Sequence, residues 1–325
     1  MISNPHRLQI FRSLLLIPVI CFSNVSAQTP STFPSITLLS ESDIRDSAIA
    51  FVSTSTTPGL TGATLSVDND ERTSEQLRSS LGFSAEFTIK KHIFNGYWGL
   101  AIVGGTLDDQ ISIIADNGQP VDLVLTRKVI GLRGSLGLSF PVTQNFKMLP
   151  YLSLGASDLQ TQSSFQGLTV PGSPSTTANL DTSAYMASAT GSLDAIYSRW
   201  FGDNRMELAA EYDLIYTDAV SDDNPILNTS AWNQAAQVKG RYSGGTNLIT
   251  SGRPWRWQVY ANHTNFISFD KRSLGYTSLF EVGAGLEWHM NIKPLDWFGW
   301  QTLGISLGVI TSNDVEGYNF GLTAR

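Results

Sequence analysis

The chain has 325 residues, of which 15% are charged and 42% hydrophobic, and its formal net charge is −7. An acidic balance of this kind argues against nucleic acid as a partner. The single cysteine, Cys21, lies close to the start of the chain, so a disulfide framework is excluded.

The first residues have the pattern of an export signal. A basic region ending at Arg12 precedes the apolar run Leu14–Phe22, and Val25–Ala27 has the small residues of a cleavage site. We therefore expect residues 1–27 to be a cleaved signal peptide and the mature chain to begin at Gln28, with 19 basic and 28 acidic side chains and a formal charge of −9. An uncleaved N-terminal anchor is the alternative, but the apolar run is short for a membrane span.

A short helix is predicted next. Ser40-Glu41-Ser42-Asp43 resembles a capping box, and the helix would run roughly to Phe51. Ile44, Ala48 and Phe51 would share one face. Residues 28–58 would thus be an N-terminal segment with a helix at about residues 40–51. The spacing does not decide whether this helix plugs the domain that follows or lies at its periplasmic rim.

The remainder of the chain alternates with a period of two, and the longest example is Gly275–Met290. Its apolar residues, from Tyr276 to Met290, fall on one face, and Glu281 and Glu287 fall on the other. Strands of soluble sandwiches are usually about 5 to 6 residues long. A strand this long, with an apolar and a polar face, is typical of a transmembrane β-barrel.

Eleven segments show this pattern clearly: Ser80–Lys90, Tyr97–Thr106, Val129–Phe140, Leu149–Ser157, Tyr185–Tyr197, Met206–Thr217, Trp232–Tyr242, Trp255–Thr264, Gly275–Met290, Trp300–Ile310 and Glu316–Ala324. The connections alternate between short turns and long polar loops, such as Leu107–Lys128. Because bacterial barrels have even strand numbers, with short turns in the periplasm, one further strand must precede residue 80. Gly59–Val67 is the best segment for it. The alternative is an N-terminal segment that threads the pore and leaves ten or eleven strands.

The predicted fold class is therefore all-β: an antiparallel, up-and-down transmembrane barrel of about twelve strands over residues 59–325, with a short N-terminal helix. Its expected location is the bacterial outer membrane, where lipid would cover the apolar face. In the numbering that follows, Gly275–Met290 is the tenth strand.

Charged residues of both signs are expected to line the lumen: Glu86, Arg133, Glu207, Glu211, Asp213, Lys239, Arg241, Arg256, Glu281 and Glu287. Acidic residues dominate one strand and basic residues the next, which favours cross-strand pairing. We interpret the set as a structural lining that fills a wide lumen, with Glu281 and Glu287 paired to basic residues on other strands. A charge-selective filter is the alternative.

No motif marks an active site. His263 would need a serine such as Ser278 nearby to form a lipid-hydrolysing site, and nothing singles that serine out. No His, Cys and carboxylate cluster has zinc spacing. We expect no enzymatic activity, no metal and no cofactor.

The last strand places Gly317, Tyr318, Phe320 and Leu322 in sequence, which resembles the terminal strand signal read by the outer-membrane assembly machinery. It departs from that signal by ending Thr323-Ala324-Arg325 rather than on an aromatic residue. The layout of signal peptide, short helix and about twelve strands resembles the β-domain of autotransporters. Gln28–Pro58 is too short for a passenger, so the similarity is closest to solitary, autotransporter-like barrels.

That resemblance implies a Gram-negative outer-membrane protein that interacts with lipid and with the assembly machinery, and it implies no defined enzymatic activity. Our first hypothesis is a structural or surface-interaction role with an unknown surface ligand. The second is a passive diffusion channel with a lumen lined by charges of both signs. A lipid-active enzyme is the third.

Overall fold

The computed structural model describes residues 41–56, 62–69, 72–89, 93–114, 120–166, 181–222, 230–269, 274–290 and 302–324. Within them, one helix, α1 (Glu41–Thr56), precedes twelve strands. The strands are β1 (Ala63–Asn69), β2 (Arg72–Thr88), β3 (Asn95–Ile114), β4 (Pro120–Pro141), β5 (Phe146–Gln166), β6 (Thr182–Phe201), β7 (Asn204–Asp222), β8 (Ser230–Thr250), β9 (Arg253–Phe266), β10 (Ser278–His289), β11 (Thr302–Ser312) and β12 (Val315–Ala324). The expected signal peptide, its cleavage site and the capping residue Ser40 lie outside the described residues.

Each strand pairs antiparallel with its neighbours in the chain, and β1 pairs with β12 to close the barrel. The predicted fold class and the count of twelve strands are confirmed. β1 covers part of the predicted Gly59–Val67, and residues 59–61 lie outside the described part of the chain. Leu65 of β1 is the register partner of Gln76 on β2 and of Gly317 on β12.

The outer surface of the barrel carries an apolar belt. Side chains such as Leu132, Leu136, Leu154 and Val282 are exposed on it, and their neighbours along each strand face the lumen. Tight turns such as Gly202-Asp203 mark one end of the barrel, which is the periplasmic end by the usual asymmetry of bacterial barrels. The belt therefore lies between this end and the opposite, extracellular half.

The extracellular parts of several strands reverse the expected pattern. The prediction of a long loop over Leu107–Lys128 is wrong, because β3 continues to Ile114 and β4 begins at Pro120. In this region Leu107, Leu123 and Leu125 are buried on the inner face. Beyond the bilayer the outer surface meets water, so the apolar residues turn inward, where they are removed from solvent.

The prediction for the start of the tenth strand also needs correction. β10 begins at Ser278, since Gly275 has a φ of +83° that an extended strand does not contain. Tyr276 is buried within the barrel instead of facing lipid, and its ring packs edge-on against Phe266. Within β10 the predicted outer face is confirmed at Phe280 and Val282, which are exposed, whereas Met290 lies beyond the end of the strand and is buried.

Helix α1 lies inside the lumen. All residues from Ser47 to Thr56 are buried, and the helix contacts seven consecutive strands, β2 to β8. It continues five residues beyond the predicted end at Phe51, through a Val-Ser-Thr-Ser-Thr segment of poor helix formers. Burial and side-chain contacts therefore override the local propensity. Among the described residues no helix is long and apolar enough to cross a membrane.

Replacing Phe51 tests the packing of α1. Phe51 is 0% exposed and lies in a cluster with Leu107, Val129 and Met186. Phe51→Ala should lower the free energy of unfolding by about 3 kcal/mol, because it leaves a cavity in this cluster. The measurement is urea unfolding of the refolded protein in detergent.

The matched control is Ile93→Ala, at an exposed turn position, which should change the free energy of unfolding by no more than about 0.5 kcal/mol. Equal effects of the two substitutions would contradict the packed position of the helix.

Candidate functional site

The lumen divides into two parts along the barrel axis. Its extracellular half contains α1 and two clusters of buried apolar side chains. Its periplasmic half contains most of the charged residues that the sequence assigned to the lining. The side-chain contacts define what this lining can do.

The periplasmic half contains an ion-pair network of four residues on β7, β8 and β10. Arg241 donates to Glu207 at 2.7 Å and to Glu287 at 3.5 Å. Arg205 donates to the second carboxylate oxygen of Glu207 at 2.8 Å. Glu207 and Arg241 are register partners on adjacent strands, so the acidic strand and the basic strand meet as expected.

Glu211 is the centre of a second network, closer to the middle of the lumen. It accepts hydrogen bonds from Lys239 at 3.0 Å and from the Tyr151 hydroxyl at 2.8 Å. Asp213, two residues further along β7, accepts from the Ser192 hydroxyl at 2.5 Å. Each carboxylate therefore has a donor, as buried carboxylates require.

Two predicted lining residues lie near the periplasmic mouth. Glu86 forms an ion pair with Lys147. Arg256 donates to the backbone carbonyl of Asp203 at 2.8 Å, and its guanidinium lies 5.0 Å from the ring centre of Trp200. These contacts tie side chains of the wall to a periplasmic turn.

The expectation that Glu281 pairs with a basic residue is wrong. Its carboxylate accepts from the Tyr260 hydroxyl at 2.8 Å and from the Asn319 amide at 2.6 Å, and both donors are neutral. Tyr260 can reach Glu281 because its ring crosses over Gly283, where a Cβ would lie 2.4 Å from the ring. Glu287, in contrast, has the basic partner that we expected.

Polar contacts hold the C-terminal part of α1. Arg133, assigned to the lining, donates to the carbonyl of Thr56 at 2.5 Å, at the end where helix carbonyls lack partners. The Ser53 hydroxyl is 2.9 Å from that of Thr217, and Asn233 donates to Ser53 at 3.2 Å. These contacts connect the helix to β4, β7 and β8.

The sequence analysis missed an ion pair near the other end of the helix. Arg127 donates to Asp109 at 2.8 Å, and both side chains are 1% exposed. Arg127 also donates to the Ser47 hydroxyl at 2.8 Å, and Ser74 donates to Asp109. Both charged residues fall in the segment assigned to a loop. Apolar residues flanking them at a period of two were the signal that could have placed them on strands.

The terminal strand presents Tyr318, Phe320 and Leu322 on the outer surface. Gly317 faces inward, where a Cβ would lie 2.3 Å from the carbonyl oxygen of Thr64 on β1. A side chain at this position would therefore disturb the strand pair that closes the barrel. The role of these residues in assembly stays a prediction.

His263 faces outward near the extracellular end of β9. Its register partners are Val238 and Phe280, and both are exposed on the outer surface. Ser278 pairs with Asn265 in the same register. In the part of the chain that the structure describes, no group of three or more His, Cys, Asp or Glu residues is placed to hold a metal ion.

Comparison with solved structures finds autotransporter barrels. The β-domain of the Bordetella autotransporter BrkA is 14% identical, covers 81% of this chain and 97% of its own, and has a TM-score of 0.47. The transport unit of AIDA-I from Escherichia coli is 10% identical, with coverages of 87% and 98% and a TM-score of 0.48. The translocator domain of NalP from Neisseria meningitidis is 10% identical, with coverages of 80% and 83% and a TM-score of 0.47.

At these identities and TM-scores the matches identify neither a family nor an activity. No protein-family model and no curated protein matches the chain. The expectation of a closed, twelve-stranded barrel is confirmed by the strand pairing itself.

A double-mutant cycle tests the ion pair of Arg241 and Glu207. Arg241→Met alone should lower the free energy of unfolding by about 2 kcal/mol, because it removes a cation that donates to both Glu207 and Glu287. Combined with Glu207→Gln the loss should be smaller than the sum, with a coupling energy of at least about 1 kcal/mol.

The control cycle uses Arg45 and Asp46, an exposed pair on α1, where the coupling should stay below about 0.5 kcal/mol. Additive effects at Arg241 and Glu207 would show that the pair does not couple in the folded protein.

Proposed function

We propose that this chain is a Gram-negative outer-membrane barrel, closed by its own helix, with a structural or surface-interaction role and no catalytic one. The observation that carries the proposal is the position of α1. Phe51, Val52, Ser53 and Thr54 have essentially no solvent exposure, although they lie inside a barrel wide enough to hold a helix. A filled lumen supports a non-conducting role.

The packing above and beside the helix supports the same role. The segment that joins β9 to β10 contributes the buried residues Phe269, Leu274 and Tyr276. They cluster with Leu65 of β1 and Ile310 of β11. A continuous water path through this half would require the separation of packed apolar side chains, which is unfavourable.

The extracellular extensions of the strands support surface interaction. β4 begins at Pro120, ten residues before Ile130 in the apolar belt. At the usual rise per residue this is about 30 Å along the strand. Regular strands therefore continue well beyond the belt. A surface ligand of unknown chemistry would meet the outer ends of these strands. Lipid at the belt and the assembly machinery at β12 are the other partners that we propose.

A passive diffusion channel is the second candidate. The charged periplasmic half of the lumen favours it, since polar linings of both signs occur in water-filled barrels. In this candidate α1 would have to leave the lumen before solutes could pass. The mutual pairing of Glu207, Arg241 and Glu287 favours a structural lining instead, because paired charges offer a weaker field to a passing ion.

Planar-bilayer conductance tests the proposal. The intact protein should give no steady open conductance, because α1 and the apolar clusters fill the extracellular half. A variant that lacks residues 41–56 should conduct if the lumen is otherwise open. Heat-modifiable migration on a gel would first establish that each protein is a folded barrel.

Phe51→Asp provides a variant that keeps the chain length. It should displace the helix and raise conductance, whereas Ile93→Asp, at an exposed turn, should not. A steady conductance of the intact protein would overturn the closed-barrel proposal. A helix-deletion variant that folds but gives no conductance would instead exclude the diffusion-channel candidate.

A further inference from the structure

A buried guanidinium in the lumen has two nitrogen atoms without a hydrogen-bond partner. Arg78 of β2 faces inward and is 4% exposed, and neither its Nε nor its Nη1 makes a hydrogen bond. Arginine keeps its charge in proteins, and an uncompensated buried charge is strongly unfavourable. Something other than a protein side chain must therefore compensate this charge.

Two further unpartnered polar atoms border the same space. Gln76 precedes Arg78 by two residues on the inner face of β2, and its Nε2 has no acceptor. Its Oε1 accepts from the Tyr276 hydroxyl at 2.9 Å, which fixes the amide orientation. The third atom is Oγ of Ser55 on α1, which lies above Gly105, the register partner of Arg78. A Cβ at Gly105 would be only 3.2 Å from this oxygen.

Four carbonyls near the end of the helix are already engaged. The carbonyl of Phe51 accepts from the Thr54 hydroxyl at 3.1 Å, and those of Val52 and Ser53 accept from the Thr56 hydroxyl at 2.9 and 3.3 Å. Arg133 donates to the carbonyl of Thr56. The Nε and Nη1 atoms of Arg78 make no hydrogen bond, so these atoms do not cap the helix end.

Two inward-facing carboxylates, Asp109 on β3 and Glu281 on β10, are also engaged. Asp109 accepts from Arg127 and Ser74, and Glu281 accepts from Tyr260 and Asn319. The Ser55 hydroxyl, the Phe51 ring and the Leu77 carbonyl lie closest to Gly105. The unpartnered groups on this part of the inner face are the Arg78 guanidinium, the Gln76 amide N–H and the Ser55 hydroxyl. All three can donate, and the guanidinium brings a positive charge.

We propose that Arg78, Gln76 and Ser55 form a binding site for one small inorganic anion of about the size of chloride. The charge and the donors select an anion, and the burial of all three side chains, each at most 6% exposed, selects a small one. The anion would join α1, through Ser55, to the wall of the barrel, through Arg78 and Gln76. It would thereby hold the helix in the lumen.

Chloride-dependent stability tests the site in the full chain refolded in detergent. The melting temperature is measured while sodium chloride replaces sodium gluconate at constant ionic strength. The wild-type protein should show a rise that saturates, since a ligand that binds only the folded state stabilises it. Arg78→Met should abolish the rise, whereas Arg45→Met, at a solvent-accessible position on α1 outside the proposed site, should keep it.

The Arg78→Met variant also distinguishes a bound anion from bound water as the partner of Arg78. In gluconate alone, Arg78→Met should be at least as stable as the wild type, because it removes a buried charge that lacks its counter-ion. If Arg78→Met is less stable to the same extent at every chloride concentration, bound water compensates Arg78 and the proposal is wrong.

Crystals soaked in bromide give a direct readout that requires no variant. An anomalous peak within about 3.5 Å of the Arg78 guanidinium is expected, since charged hydrogen bonds to a halide are slightly longer than those to oxygen. Absence of this peak at bromide concentrations that saturate the thermal shift would overturn the proposal. A peak only at other, exposed positions would do so equally.

Discussion

The burial of α1 in the lumen is the constraint on which the rest of the structure depends. A helix that is buried on all sides must find partners for its polar groups and apolar contacts for Phe51 and Val52. The wall supplies both. Arg127 contacts Ser47 near one end, Arg133 contacts Thr56 at the other, and apolar residues of β3 to β6 surround the middle. The inner face of the extracellular strands is therefore a protein core.

This arrangement divides one barrel into two chemical environments. On the extracellular side the apolar residues point inward to the helix, whereas at the belt they point outward to lipid. The periplasmic part of the lumen is not filled by the helix and instead contains Glu207, Arg241 and Glu287. Pairing within this group offsets the cost of placing charges between low-dielectric walls. The barrel wall thus contacts water, lipid and α1 at different positions along the barrel axis.

The sequence predicted the strands best where one face meets lipid. In β4 and β10 the alternation of Leu132 or Val282 with polar residues is regular, and both strands were identified. The prediction was wrong where the pattern reverses, as at Leu123 and Leu125, because periodicity alone does not indicate which face of a strand meets water. The prediction of the helix end was wrong for another reason. Val52–Thr56 has low helix propensity, and only tertiary burial keeps it helical. Side-chain partners such as Tyr260 for Glu281 depend on glycines that allow one ring to cross a neighbouring strand.

The most direct test of the central claim is a disulfide between α1 and the wall. Ser53 and Thr217 have hydroxyl oxygens 2.9 Å apart, which suits a cysteine pair. In a Cys21→Ser background, Ser53→Cys with Thr217→Cys should oxidise readily in intact outer membranes and alter gel migration, while Ser53→Cys alone should resist thiol reagents. Failure of the pair to cross-link, together with rapid labelling of Ser53→Cys, would show that the helix does not occupy the lumen.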